Sequence, residues 1–374
     1  MKYTYNLNKV KGSIVGGAIG DALGYPVEFM GRKEIISRFG PKGITRFDLN
    51  HEGIAEFSDD TQMTLFTATG LLSAETAINR NRDVDGSIWV ESVKHHYIDW
   101  FCTQNMTDIE KHYSWLYGVP ELMSQRAPGT TCLRALHNLV DGVAMVNNSK
   151  GCGGIMRTAP VALCSGLREN PAFMYRLAGA LSDITHNNPL GFIPSSMMVM
   201  IMDKISHLDN MPDRHDLVKI VLHSVLEIGK VEYDTGYQIV IFDKFPADIG
   251  YLGSLVMNAV EMAASEQPDD ECISELGGGW TGETALAIAI YCTLRHYDSF
   301  EDAVVAAVNH SGDSDSTGAI CGNLMGLIHG YDAIPQYYKD NLELMPVLEE
   351  VAEDLYVGSA HAEDAEKWNR KYLH

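Results

Sequence analysis

Seven cysteines are scattered along this 374-residue chain, and no CxxC pair occurs among them. Cys102, Cys132, Cys152, Cys164, Cys272, Cys292 and Cys321 are odd in number and dispersed, so they read as reduced thiols of a cytosolic protein. Basic residues are also scarce. There are 28 Lys+Arg against 50 Asp+Glu, a formal net charge of −22, and no Lys/Arg cluster is interleaved with aromatics. A field of that sign repels phosphate backbones and argues against nucleic acid as a partner. A small phosphorylated ligand stays compatible if the site carries its own cations, because bound metals invert the local field. Long apolar runs are missing too. Ile14–Ile19 follows Lys2, Lys9 and Lys11 in the manner of a weak signal peptide, but it is short and Asp21 interrupts it. Met197–Met202 is far too brief to span a bilayer. A cytoplasmic protein that does not engage a membrane is expected. No linker rich in Ser, Pro or Gly, no low-complexity tract and no repeat divides the chain, so residues 1–374 are expected to form one domain.

Hydrophobic residues make up 45% and charged residues 21%, a balance that supports a sizeable core. The dominant pattern is helical. Asp59–Ala74, Phe173–Leu181, Ser195–His207, His215–Ile228, Gly282–His296 and Asp302–Val308 carry apolar residues at three- and four-residue spacings. Alternating β-branched runs are few, and Gln238–Phe242 is the best strand candidate. Glycines gather at segment junctions: Gly151/Gly153/Gly154, Gly277–Gly279 and Gly312. The fold class expected is all-α, a compact single domain, with residues 229–254 as the least helical stretch and an inserted arm.

Five clusters carry chemistry. Ser58-Asp59-Asp60-Thr61 opens a periodic segment. One acid there is explained by helix capping and the helix dipole. With Ser58 as cap, two adjacent carboxylates remain crowded at the helix start, and their repulsion favours a cation. His310-Ser311-Gly312-Asp313-Ser314-Asp315-Ser316-Thr317-Gly318 precedes a small-residue helix, Ala319–Ile328. Asp-x-Asp with flanking hydroxyls supplies hard oxygens suited to Mg²⁺, Mn²⁺ or Ca²⁺. An EF-hand is excluded because Leu324 stands where a bidentate Glu is required. Two Asp pairs at two helix starts fit a shared dinuclear site. Gly24 and Pro26 break a helix and leave Glu28 on the loop beyond it. Ser149–Arg157 is a glycine-rich loop whose amides could cradle phosphate, though Lys150 precedes the glycines and so it is not a Walker loop. Thr185-His186-Asn187-Asn188-Pro189 adds a histidine equally explained by turn capping.

Two further patterns are set aside. Gly277–Gly282 satisfies GxGxxG, yet Asp269–Leu276 before it is too acidic for a buried strand, and a dinucleotide fold needs a parallel sheet. His215-Asp216 matches the core of helical His-Asp phosphohydrolases, but it is a single common dipeptide. Met174, Met197, Met198, Met200 and Met202 are assigned to the core.

In order along the chain, GDALGYPVEF, FSDDTQMTL, RAPGTTCL, NNSKGCGGIMRTAPVAL, DITHNNP, LGGGWTGETALAIAIYC and HSGDSDSTGAI resemble the ADP-ribosylglycohydrolase family over residues 9–330. That family includes the dinitrogenase-reductase-activating glycohydrolases and the ADP-ribosylarginine hydrolases. The resemblance implies a helical domain around two Mg²⁺ or Mn²⁺ ions, with Ser58, Asp59, Asp60, Asp313, Asp315 and Ser316 as ligands. It implies catalytic roles for Glu28, Asp59 and Asp60. Gly151, Cys152, Gly153, Gly154, Met156 and His186 fall on positions that line the ADP-ribose cleft. The activity implied is hydrolysis of the bond linking ADP-ribose to a protein side chain, with the ADP-ribosylated protein as substrate and ADP-ribose as product. Gly151-Cys152-Gly153 matches arginine-specific members, whereas GDALG…VEF is closer to bacterial ones. Serine-linked ADP-ribose and O-acetyl-ADP-ribose are the other linkages considered. Proteins resembling this family also act as non-catalytic binders, including immunity partners of ADP-ribosylating toxins, which is the alternative reading.

Overall fold

Four glycines at four-residue intervals, Gly12, Gly16, Gly20 and Gly24, lie along the first helix, Leu7–Gly24, of the computed structural model. Residues 5–80, 86–105, 109–143, 146–234 and 239–373 are described. Gly318, Gly322 and Gly326 carry the same spacing on the helix Ser314–His329. The two helices run antiparallel with their backbones in contact. A methyl group on Gly20 would fall 1.9 Å from the Gly318 carbonyl oxygen, and one on Gly16 would fall 2.4 Å from that of Gly322. Each interior glycine costs a helix roughly 1 kcal/mol relative to alanine. Here the absence of Cβ atoms is what lets the backbones meet. Both helices are buried on every side, as core helices are.

The seam fixes where the chemistry-bearing segments lie. Its upper end pairs Gly24 with the Ser314 carbonyl, so the loop after the first helix, with Glu28, lies beside the start of the second, with Asp313 and Asp315. A third long helix, Asp59–Arg80, is buried from Asp59 to Thr76 and packs on Ile88–Asn105. Pro189–Ser206 and Gly282–Arg295 complete the centre. Thr281 and Thr284 form a reciprocal capping box that fixes where the latter begins. The five methionines assigned to the core are buried. Among the described residues no helix is long and apolar enough to cross a membrane.

The fold is all-α, with one small hairpin among the described residues. Glu232–Asp234 pairs antiparallel with Ile239–Ile241, Glu232 opposite Ile241. The expected strand Gln238–Phe242 is thus shorter: Gln238 lies outside the described residues, and Phe242 opens a tight helical turn, buried against Phe192. The later part of 229–254 is helical. Pro246–Ala263 is a full helix, with Pro246 at its first turn, where the missing amide costs nothing. The acidic Asp269–Leu276 is also a helix.

Candidate active site

A cleft of about 350 Å³ opens where the glycine seam ends. Glu28, Asp59, Asp60, Asp313, Asp315 and Ser316 all line it, so the two acidic pairs meet although about 250 residues separate them. Ser58 lies just beneath, fully buried. Its hydroxyl accepts the Asp60 amide at 3.2 Å, a capping contact that leaves the Asp60 carboxylate unspent. Asp59 is held from the other side: its amide donates to the Arg126 carbonyl at 2.9 Å, and its Oδ2 accepts from the Gly129 amide at 3.2 Å. This wraps the RAPGTTCL segment around the helix start and drives Ala127, on the cleft wall, to a φ of 51°. A left-handed alanine is strained by about 1 kcal/mol, and the flanking contacts hold it there. Asp313 caps its own helix by accepting from the Ser316 amide at 3.3 Å, and the Cys152 thiol donates to its Oδ2 at 2.8 Å.

Among the described residues the cleft lining holds five carboxylates and neither Lys nor Arg. Glu28 Oε2 and Asp60 Oδ2 are buried without a hydrogen-bond partner. Burial, then the charges of Asp315, Asp313, Asp59 and Asp21, push the Glu28 carboxyl up to about 10. Burial first and Asp315 second hold Asp59 and Asp60 well above the usual carboxylate range, and Asp315 is raised by burial and Asp313. Buried charges need partners. A cluster of hard oxygens with unmade contacts and no side-chain cation fits divalent metal ions.

The opposite wall is the glycine loop. Cys152–Gly154 forms one tight helical turn, and the Cys152 amide donates to the Trp280 carbonyl at 3.2 Å. A methyl on Gly151 would fall 3.1 Å from His186 Nε2, so the imidazole lies flush with the loop. Behind it sits Arg157, 0% exposed, with no carboxylate on it. It donates to Thr185 Oγ1 at 2.7 Å, and Thr185 Oγ1 lies 2.8 Å from His186 Nδ1. A guanidinium only donates, so the threonine proton is available to Nδ1, which assigns the proton of the neutral ring to Nε2. Burial and the Arg157 charge push His186 down to about 3, which keeps it neutral. Gly154 lies behind the turn and Met156 on the cleft wall.

Three parts of the site are not evident from the sequence. Asp21, a break in an apolar run and part of the GDALG motif but given no role there, is fully buried and binds the start of the Asp59 helix from below. Gly277–Gly282, a false dinucleotide fingerprint, buttresses the second acidic pair: the Asp313 amide donates to the Gly278 carbonyl at 2.8 Å. Phe29 and Trp280 stack across the cleft mouth with centroids 5.9 Å apart. His215 and Asp216 lie on the surface with Asp213, ligand atoms within 4.8 Å of one another. All three are exposed and Asp213 caps its helix, so solvation explains the group.

A helical domain with acids from separate helix starts facing a glycine loop is what this chain shares with a family of glycohydrolases: it belongs to the ADP-ribosylglycohydrolase family, whose sequence model matches residues 2–365. The ADP-ribosyl-[dinitrogen reductase] glycohydrolase of Rhodospirillum rubrum is 23% identical, over 90% of this chain and 91% of that protein. The ADP-ribosylarginine hydrolase Tri1 of Serratia proteamaculans is 24% identical, over 94% of this chain and 80% of that protein. A solved ADP-ribosylglycohydrolase-related protein complex has the same fold, with a TM-score of 0.60, 20% identity, and coverage of 95% of this chain and 99% of that one.

Proposed function

We propose that the protein hydrolyses the glycosidic bond joining ADP-ribose to an arginine side chain of a modified protein. The observation that carries this reading is the cleft lining: five carboxylates, two of them with unpartnered buried oxygens, facing a glycine loop and a neutral histidine. Family membership supports hydrolysis of an ADP-ribosyl linkage. The arginine assignment draws on two relatives, one named for arginine and one for dinitrogen reductase, and on the Gly151-Cys152-Gly153 match.

Ser58, Asp59, Asp60, Asp313, Asp315 and Ser316 would hold two divalent cations, Mg²⁺ or Mn²⁺. Such ions supply Lewis acidity toward the ribose hydroxyls and make nearby water more acidic. The chain's own groups do the rest. The Gly153 amide and the Nε2–H of His186 bind the diphosphate, while the amides of Gly151 and Cys152 are spent on Ser149 and the Trp280 carbonyl and fix the shape of the loop. Because His186 is neutral, it donates without being drawn onto the carboxylates. Glu28, which the charge of bound cations would bring back toward its ionised form, takes a proton from the attacking water through its unpartnered oxygen. The water oxygen bonds to the anomeric carbon, the carbon–nitrogen bond breaks, and its electron pair goes to the guanidine nitrogen. That nitrogen then takes up a proton, which Glu28 is placed to return.

The test is release of free ADP-ribose from arginine-linked and serine-linked substrates, each with and without Mg²⁺ or Mn²⁺. Faster turnover of the serine link would move the assignment to that linkage. No release from any ADP-ribosyl linkage would end the catalytic reading.

A further inference from the structure

Among the described residues few large aromatic side chains are exposed, and Trp89, Trp100 and Trp368 are buried. Phe29, Trp280 and Tyr251 are the exceptions. Phe29 is 75% exposed and Trp280 45% exposed, yet they stack at 24° on the rim of the acidic cleft. Phe29 is the covalent neighbour of Glu28, and Trp280 is tied to the glycine loop through the Cys152 amide. The pair therefore presents aromatic surface beside the residue that acts at the bond to be broken.

We propose that Phe29 and Trp280 form the platform on which the guanidinium side chain bearing ADP-ribose is laid, and that this stack favours arginine over a hydroxyl linkage. The inference rests on the hydrolase reading. A guanidinium is flat, delocalised and weakly hydrated, so it stacks on aromatic faces and is drawn to their negative π-surface. A serine side chain offers neither plane nor charge. The surroundings favour a cation as well. A cavity of about 730 Å³ adjoins the platform through Gly277 and Gly278, and Asp270, Glu271 and Glu275 line it. Arg32 pairs with Asp270 at 2.9 Å, and the other two acids add negative charge where basic residues flanking the modified arginine would lie. Adenine is the rival occupant, since it too is planar. Position speaks against it: the base lies a diphosphate and two ribose rings away from the anomeric carbon on which Glu28 acts.

The experiment uses the full chain and its Trp280→Ala, Trp280→Phe and Phe29→Ala variants. We expect kcat/KM on an arginine-linked ADP-ribosyl peptide to fall roughly 3- to 30-fold in both alanine variants, the range of exposed to desolvated cation–π contacts. Trp280→Phe should recover most of it. Calorimetric affinity for free ADP-ribose should stay within a factor of two or so of wild type, as expected for a contact confined to the leaving side chain. An equal loss of ADP-ribose affinity would show that the stack holds adenine and overturn the proposal, as would unchanged arginine-linked turnover. A parallel titration with an unmodified arginine-rich peptide, read as the Trp280-dependent part of the fluorescence, separates the two readings. Quenching in a protein that cleaves no arginine linkage would indict the hydrolase reading and keep the platform. No quenching in a protein that does cleave it would sink the platform alone.

Discussion

The carboxylate of Asp21 accepts the backbone amide of Ser58 at 2.9 Å, so a residue of the first helix anchors the start of the helix that carries Asp59 and Asp60. The same carboxylate takes the Thr61 amide at 2.9 Å and the Thr61 hydroxyl at 2.5 Å. It is spent on the protein, one layer behind the cleft. Asp21→Asn should weaken Mg²⁺ or Mn²⁺ binding about 10- to 100-fold, as groups behind a metal site typically do when altered. Calorimetric titration checks this, and unchanged affinity would reduce Asp21 to a helix cap.

Asp59→Asn and Asp315→Asn each remove one negative charge and keep the shape. Activity should fall by roughly two orders of magnitude or more, because cation binding falls with it. Folding should not suffer, since the remaining acids repel one another less when no metal is bound. Glu28→Gln should differ, with cation affinity largely kept and single-turnover cleavage slowed. Full activity in Asp315→Asn would refute the mechanism.

Metal-free protein should lose stability as pH rises. Folding pushes Glu28 up to about 10 and Asp21 up to about 7, and raises Asp59, Asp60 and Asp315 well above their ordinary values. A group raised in the folded state contributes stability below its unfolded value, about 4 for a carboxyl, and loses it as pH climbs through the folded value. In chelator, the melting temperature should therefore decline between about pH 6 and pH 9. Saturating Mn²⁺ should flatten that decline. A melting temperature that rises over this window in chelator would contradict the electrostatic account.

Thr185→Val leaves a donor of buried Arg157 unsatisfied and removes the proton offered to His186. The cost should be about 1–3 kcal/mol in chemical denaturation. Thr185→Ser should restore both stability and the Nε2–H form of the ring. Nitrogen chemical shifts of His186 read this directly, and a ring protonated at Nδ1 in wild type would undo the assignment.

The glycines make opposite predictions by position. Gly20→Ala drives a methyl into the Gly318 carbonyl and should prevent folding or cost about 3 kcal/mol or more. Gly250, in the Pro246–Ala263 helix, has nothing within 4 Å of a would-be Cβ. Gly250→Ala should stabilise by up to about 1 kcal/mol. Denaturation midpoints decide both.

Much of this molecule can be read from local pattern. The helices at Asp59, Phe173, His215 and Gly282 announce themselves by spacing, and acid pairs at two helix starts are conspicuous because capping needs only one acid. What escapes reading is what depends on a partner distant in the chain. Asp21 interrupts an apolar run only until Ser58 and Thr61 arrive to bond it. Gly277–Gly282 fails as a dinucleotide fingerprint, and its role shows only once Asp313 leans on Gly278. The glycines of the first helix blend into an apolar run, although their four-residue interval already describes a bare helix face. The helix at Pro246 is hidden by the aromatic and charged stretch before it.

That bare face has a consequence for how such a site can change. Where side chains mediate contact between helices, a lost methyl group can be answered by a larger neighbour, and cores drift by such exchanges. A seam of backbone on backbone offers no such trade, because nothing can be made smaller than glycine. The spacing between the Glu28 loop and the Asp313 turn is thus independent of rotamers, and thermal jostling of side chains does not blur it. Anyone transplanting this cleft into another scaffold would have to move both helices together, as one inseparable part.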